Sequence, residues 1–136
     1  MPTSISPELW YTALTAILTS LVWIPYAMNR ILTKGVWAAL QNPRPDPNPT
    51  ANWAYRMKNA HINAIENLVV FAVLATTIHI AGLANEMTAM AGAVFFISRA
   101  AHLVIYTLGI PVLRTIAFSA GFVCQSALAL RILGAL

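Results

Sequence analysis

Apolar positions along the chain fall into four long blocks, separated by two short polar gaps and one long one. Each block is long enough for an apolar helix of roughly 20 residues, which crosses the ~30 Å hydrocarbon core of a bilayer. The pattern predicts an all-α membrane protein, a single four-helix transmembrane domain over residues 1–136 with spans near 9–28, 56–83, 88–109 and 112–133. The first span opens after Ser6-Pro7-Glu8, which suits a helix amino end, and Pro25 is expected to kink its last turn. Residues 29–52 break the apolar pattern and carry Pro43, Pro45, Pro47 and Pro49 at alternate positions, which predicts a stiff, extended loop. Gly109-Ile110-Pro111 forces a tight reversal between the third and fourth spans. Met1 to Glu8 carries no Lys or Arg, so the first block reads as a retained span rather than a cleavable signal.

Composition supports the same class. Of 136 residues, 59% are hydrophobic and 9% charged, against roughly 45–50% and 25% in soluble domains, and the mean hydropathy is +0.70. Soluble-enzyme, coiled-coil and disordered readings are excluded. Eight Lys and Arg against four Asp and Glu give a net charge of +4, too sparse for a nucleic-acid surface. The charge reports topology instead. Arg30, Lys34, Arg44, Arg56 and Lys58, against Asp46, flank the long loop, while Glu8 and Glu86 lie at the other side. The loop is therefore expected to be cytoplasmic and both termini to lie on the outer face, with Arg131 a minor exception. Most of the Trp and Tyr residues cluster near the predicted interfaces as anchors. Cys124 has no partner for an intramolecular disulfide and reads as a small buried hydrophobe.

Polar side chains inside the spans need a reason. At about 100° per residue, Arg56, Asn59, Asn63, Glu66 and Asn67 occupy an arc of roughly 100° on the second helix. Arg99, His102 and Tyr106 share a face of the third. Glu66 and Arg99 each lie about ten residues from the loop-side end of their span, at similar depth given 1.5 Å per residue, and are expected to form a structural ion pair. A lone charge there costs on the order of 3 kcal/mol. Such a pair could serve only as helix glue, worth about 0.6–2 kcal/mol. Arg56, Asn63, His102, Tyr106 and Arg114 add further donors, however, without another carboxylate. The set therefore predicts a polar cavity, open to the cytoplasm, that binds a small molecule carrying carboxylates or phosphates, with apolar walls for a lipophilic second ligand. Arg30 could join it. His61 and His79 lie on another face and read as packing or lipid-interface residues, and three separated histidines make no zinc site. Gln125 and Ser126 are expected to hydrogen-bond between helices. There is no Gly-rich phosphate loop, nucleophile elbow or acid/base carboxylate pair.

These residues resemble the MAPEG family, membrane-associated proteins of eicosanoid and glutathione metabolism that include microsomal glutathione transferases, prostaglandin E synthase and the lipoxygenase-activating protein. The family signature E-R-x-x-x-A-x-x-N-x-x-[DE] is matched at Arg56, Ala60, Asn63 and Glu66, with Tyr55 in place of the first Glu. Arg99-Ala100-Ala101-His102, Tyr106, Gly109, Pro111 and Arg114-Thr115 are similar to its downstream pattern. The resemblance implies a homotrimer binding glutathione between subunits in the cytoplasmic half of the membrane. It assigns contacts to Asn63, Glu66, His102, Tyr106 and Arg114, with Arg30 contributed by the adjacent subunit. It also implies that Arg114 and Thr115 lie near the sulfur as the catalytic pair, where a cation and a hydroxyl favour the nucleophilic thiolate. Ile62 stands where thiol-using members often carry a basic residue, so the implied thiol is glutathione or another low-molecular-weight thiol. Three functions follow as expectations: a thiol transferase or peroxidase acting on lipophilic electrophiles, a non-catalytic lipid-binding protein, or a small proton-coupled transporter using Glu66.

Overall fold

The computed structural model describes residues 5–42 and 50–136 of the chain. Its elements are α1 (Pro7–Leu21), α2 (Trp23–Lys34), α3 (Val36–Leu40), α4 (Asn52–Ile80), α5 (Glu86–Leu108) and α6 (Pro111–Ile132). Among the described residues, four helical stretches are long and apolar enough to cross a membrane, with α1 and α2 together making the first, Pro7–Lys34. The interruption falls at Val22. Pro25 explains it, since proline offers no amide to the carbonyl of Leu21 and its ring crowds that carbonyl. The break therefore lies in mid-span, not in the last turn.

Residues 29–34 were expected to begin the loop but continue α2, with Thr33 Oγ1 donating to the Asn29 carbonyl at 2.7 Å. Polar side chains are compatible with a helix once it reaches the aqueous interface, so polarity alone did not mark the helix end. Gly35, at φ 85°, ends it and turns the chain into the short α3. The alternate-proline segment, with Arg44 and Asp46, lies outside the described residues.

Helix α5 packs against α1, α4 and α6. Its start is fixed by a capping box in which Asn85 Oδ1 accepts from the Thr88 amide and Thr88 Oγ1 accepts from the Asn85 amide, both at 2.9 Å. Its end is set by Gly109, whose left-handed φ of 81° turns the chain so that the Ile110 amide reaches back to the Ile105 carbonyl at 3.2 Å. Pro111 then opens α6 as its first residue. The core joins Phe71, Ala75 and Ile78 of α4, Ala91 and Phe95 of α5, and Cys124 and Leu128 of α6. The Phe71 and Phe95 rings stack at 3.9 Å. The outer faces stay apolar, with Val73, Ile97, Val104 and Phe122 all exposed, as lipid-facing helices require.

Glu8 lies in the first turn of α1, at the end away from the long loop. It is buried at the crossing of α1 and α5 and accepts a hydrogen bond from Thr88 Oγ1. Gly92 permits this approach, because a Cβ there would lie 3.2 Å from the Cα of Glu8.

Candidate functional site

In the half of the bundle nearer the long loop, three helices border an open cavity of about 230 Å³ lined by Asn63 of α4, His102 and Tyr106 of α5, and Arg114, Thr115 and Phe118 of α6. The helical repeat explains the convergence. His102 and Tyr106 are four residues apart, as are Arg114 and Phe118, so each pair projects from one face of its helix. The Arg114 guanidinium lies 4.8 Å from the centroid of the Tyr106 ring, within cation–π range. His102 is buried, its ring edge-on to Tyr106 at 5.5 Å and tilted to Phe118 at 6.3 Å. Thr115 is exposed and donates to the Pro111 carbonyl at 3.2 Å. The lining thus combines a cation, an amide, an imidazole and two hydroxyls with an apolar wall at Phe118. Such a set has the chemistry to accept an anionic group on one side and a lipophilic group on the other.

Behind the cavity, Arg99 is only 2% exposed. Its Nη2 donates to the Ala117 and Phe118 carbonyls at 3.0 and 3.3 Å, and its Nη1 contacts Asn63 Oδ1 at 3.4 Å. The rings of Phe95 and Phe118 lie 5.7 and 5.6 Å from the guanidinium carbon. Gly121 leaves the space in which it lies, since a Cβ there would be 2.6 Å from Nη2. Among the described residues, Glu66 and Arg99 form no ion pair, contrary to expectation. Glu66 is exposed. It sits at the edge of the polar stripe, about 60° from Asn63 and about 100° from Asn67 at the helical repeat, and so misses the face that α5 covers.

Asn67 and Arg56 of the stripe tie helices together. Asn67 Nδ2 donates to the Asn63 carbonyl at 2.9 Å, and Gln125 of α6 donates to the carbonyl and Oδ1 of Asn67 at 3.1 and 3.3 Å. Ser126, expected to bond between helices, instead donates to Phe122 of its own helix at 3.0 Å. Arg56 Nε donates to the Thr107 carbonyl at 2.9 Å. Arg30 does not line the cavity of its own chain; its Nη2 donates to the Ala38 carbonyl at 3.3 Å, joining α2 to α3. His61 packs as expected, with Nδ1 2.9 Å from the Tyr26 hydroxyl, and His79 is exposed. Among the described residues, no group of three His, Cys, Asp or Glu side chains could hold a metal ion. Sequence reasoning missed Phe118 as a lining residue, although its spacing of four from Arg114 places it on the same face.

The family model of the MAPEG family matches residues 9–134. No curated protein matches the chain.

Proposed function

Because the chain belongs to the MAPEG family, which includes glutathione transferases and related membrane proteins, we propose that it is an integral membrane transferase or peroxidase that uses glutathione or a related thiol to act on lipophilic electrophiles. The observation that carries this reading is the cavity: Asn63, His102, Tyr106, Arg114 and Thr115 line one space in a bundle whose outer faces are largely apolar. In the proposed transferase reaction, the thiol loses its proton to water and Arg114 stabilises the resulting thiolate, assisted by the Thr115 hydroxyl once it turns from the Pro111 carbonyl toward the sulfur. The sulfur attacks the electrophilic carbon of a substrate dissolved in the bilayer, forming the C–S bond and expelling a leaving group such as halide. Phe118 forms the wall against which that substrate lies. We assign the chain to a homotrimer, with Glu66 and Arg30, neither of which lines the cavity of its own chain, completing the thiol site at the junction between copies. The long loop is assigned to the cytoplasm and both termini to the outer face, following the basic residues around the loop.

The test is conjugation of an aromatic halide by glutathione, using purified protein in lipid nanodiscs. Acceleration by wild type, reduced about 10²–10³-fold by Arg114→Ala, is the expected result, by analogy with removing one donor from an anion-stabilising site. Absence of acceleration with any physiological thiol refutes the reading. It would favour the non-catalytic lipid-binding alternative, which the aromatic half of the cavity, Tyr106, His102 and Phe118, also fits. The exporter reading has in its favour that Glu66 makes no pair with Arg99, but family membership weighs against it.

A further inference from the structure

Arg56 matches the family signature yet is absent from the cavity lining, and nothing in the proposed chemistry uses it. We propose that Arg56 is a positioning residue: it clamps the turn between α5 and α6 and thereby holds Tyr106 and Arg114 in register across the cavity. Arg56 reaches from the first turns of α4 to the last turn of α5, where Nε donates to the Thr107 carbonyl at 2.9 Å. Carbonyls in a last turn lack intrahelical donors, and a cation there also complements the helix dipole.

Gly109 makes the contact possible in two ways. Its φ of +81° ends α5, and a Cβ on it would lie 3.1 Å from both Cζ and Nε of Arg56. The guanidinium is thus seated on the turn itself as well as on the carbonyl beside it.

The turn has no slack. Only Gly109 and Ile110 separate Leu108, the last residue of α5, from Pro111, the first of α6. The Ile110 amide bonds back to the Ile105 carbonyl at 3.2 Å, and the Arg114 amide to the Ile110 carbonyl at 3.3 Å. Tyr106 immediately precedes the clamped residue, and Arg114 lies over its ring. A displacement of Thr107 is therefore passed to both side chains that face the ligand. The consequence for activity rests on the transferase reading, whereas the clamp itself does not.

The experiment is hydrogen–deuterium exchange on the full chain in nanodiscs, comparing wild type, Arg56→Ala and Arg56→Lys. Arg56→Met, which keeps the stem, replaces the alanine variant if that fails to fold. Loss of the clamp should raise exchange at the bonded amides of Gly109, Ile110 and Arg114 by roughly tenfold, while the amides of α1 change by less than about twofold. Lysine, which keeps the charge and a donor, should return the turn toward wild type. Unchanged exchange at the turn, or a rise shared equally by all four spans, overturns the proposal. In parallel, the ultraviolet thiolate band of bound glutathione should weaken in Arg56→Ala, with kcat falling more than KM rises. A wild-type protein with no thiolate band and no conjugation would refute the transferase reading while leaving the exchange data to decide the clamp.

Discussion

Replacing Gly121 with alanine tests whether Arg99 is as confined as its surroundings indicate. The new Cβ would lie 2.6 Å from Nη2 and 3.0 Å from both Cζ and Nε. An arginine tip usually swings aside at little cost. Here it is 2% exposed, bordered by Phe95 and Phe118, and at a depth where no bulk water would receive it. Forcing a methyl group into a packed site costs about 1–3 kcal/mol. Losing one of the bonds to the Ala117 and Phe118 carbonyls adds about 1.5–3 kcal/mol, because the donor is charged. The better helix propensity of alanine returns about 1 kcal/mol. The net destabilisation is about 1.5–5 kcal/mol. Reversible unfolding in mixed detergent–SDS micelles, followed by helical circular dichroism, measures it. In an Arg99→Met background, the same alanine should be neutral or stabilising by up to about 1 kcal/mol, which isolates the contact from the effect of the glycine itself. If Gly121→Ala leaves the unfolding free energy within about 0.5 kcal/mol of wild type, the guanidinium moves freely and the argument for its confinement fails.

Substitutions at two further positions address contacts away from the cavity. Thr88→Val removes the hydroxyl that bonds Glu8 and closes the capping box of α5, and should cost about 2 kcal/mol in the same unfolding assay, while Thr88→Ser should cost little. Tyr26→Phe removes the hydroxyl bonded to His61 Nδ1; a loss of about 0.5–1.5 kcal/mol and a changed nitrogen-15 shift of the His61 ring are expected, with thiol binding unaltered. A fall in thiol affinity in that variant would mean that His61 does more than pack.

The cavity was legible because helical spacing survives folding. Once His102 and Tyr106 were placed on one face of α5, and Asn63 on the stripe of α4, the short turn at Gly109 left Arg114 little freedom to lie elsewhere. Two of the assigned ligands failed this logic within a single chain. Glu66 belongs to the stripe, but an arc of roughly 100° is wider than the strip one neighbouring helix covers, so its edge faces outward. Arg30 was placed at the end of a span that in fact continues to Lys34, and there its guanidinium turns to the carbonyl of Ala38.

Other features depend on contacts between residues distant in sequence, which periodicity does not register. Glu8 looks like an ordinary first-turn acid until Thr88 and Gly92 are brought beside it from α5. Arg99 was matched with the carboxylate at its depth, whereas the fold offered main-chain oxygens exposed by Gly121. The Pro25 kink was correctly attributed, but its effect lies upstream, at Val22, because the group deprived of a donor is four residues earlier.

Arg56 and Arg99 each grip main-chain oxygens, that of Thr107 for Arg56 and those of Ala117 and Phe118 for Arg99. A peptide oxygen is not deleted by exchanging the residue that carries it, so positions 107 and 117 can drift while both grips persist. The restriction passes instead to 109 and 121, where an added carbon would intrude on a guanidinium. Across a set of homologues, the trace of each main-chain contact should be a glycine that does not change, and Asn63, among the described residues the one side chain that bonds Arg99, is where covariation with it should be sought.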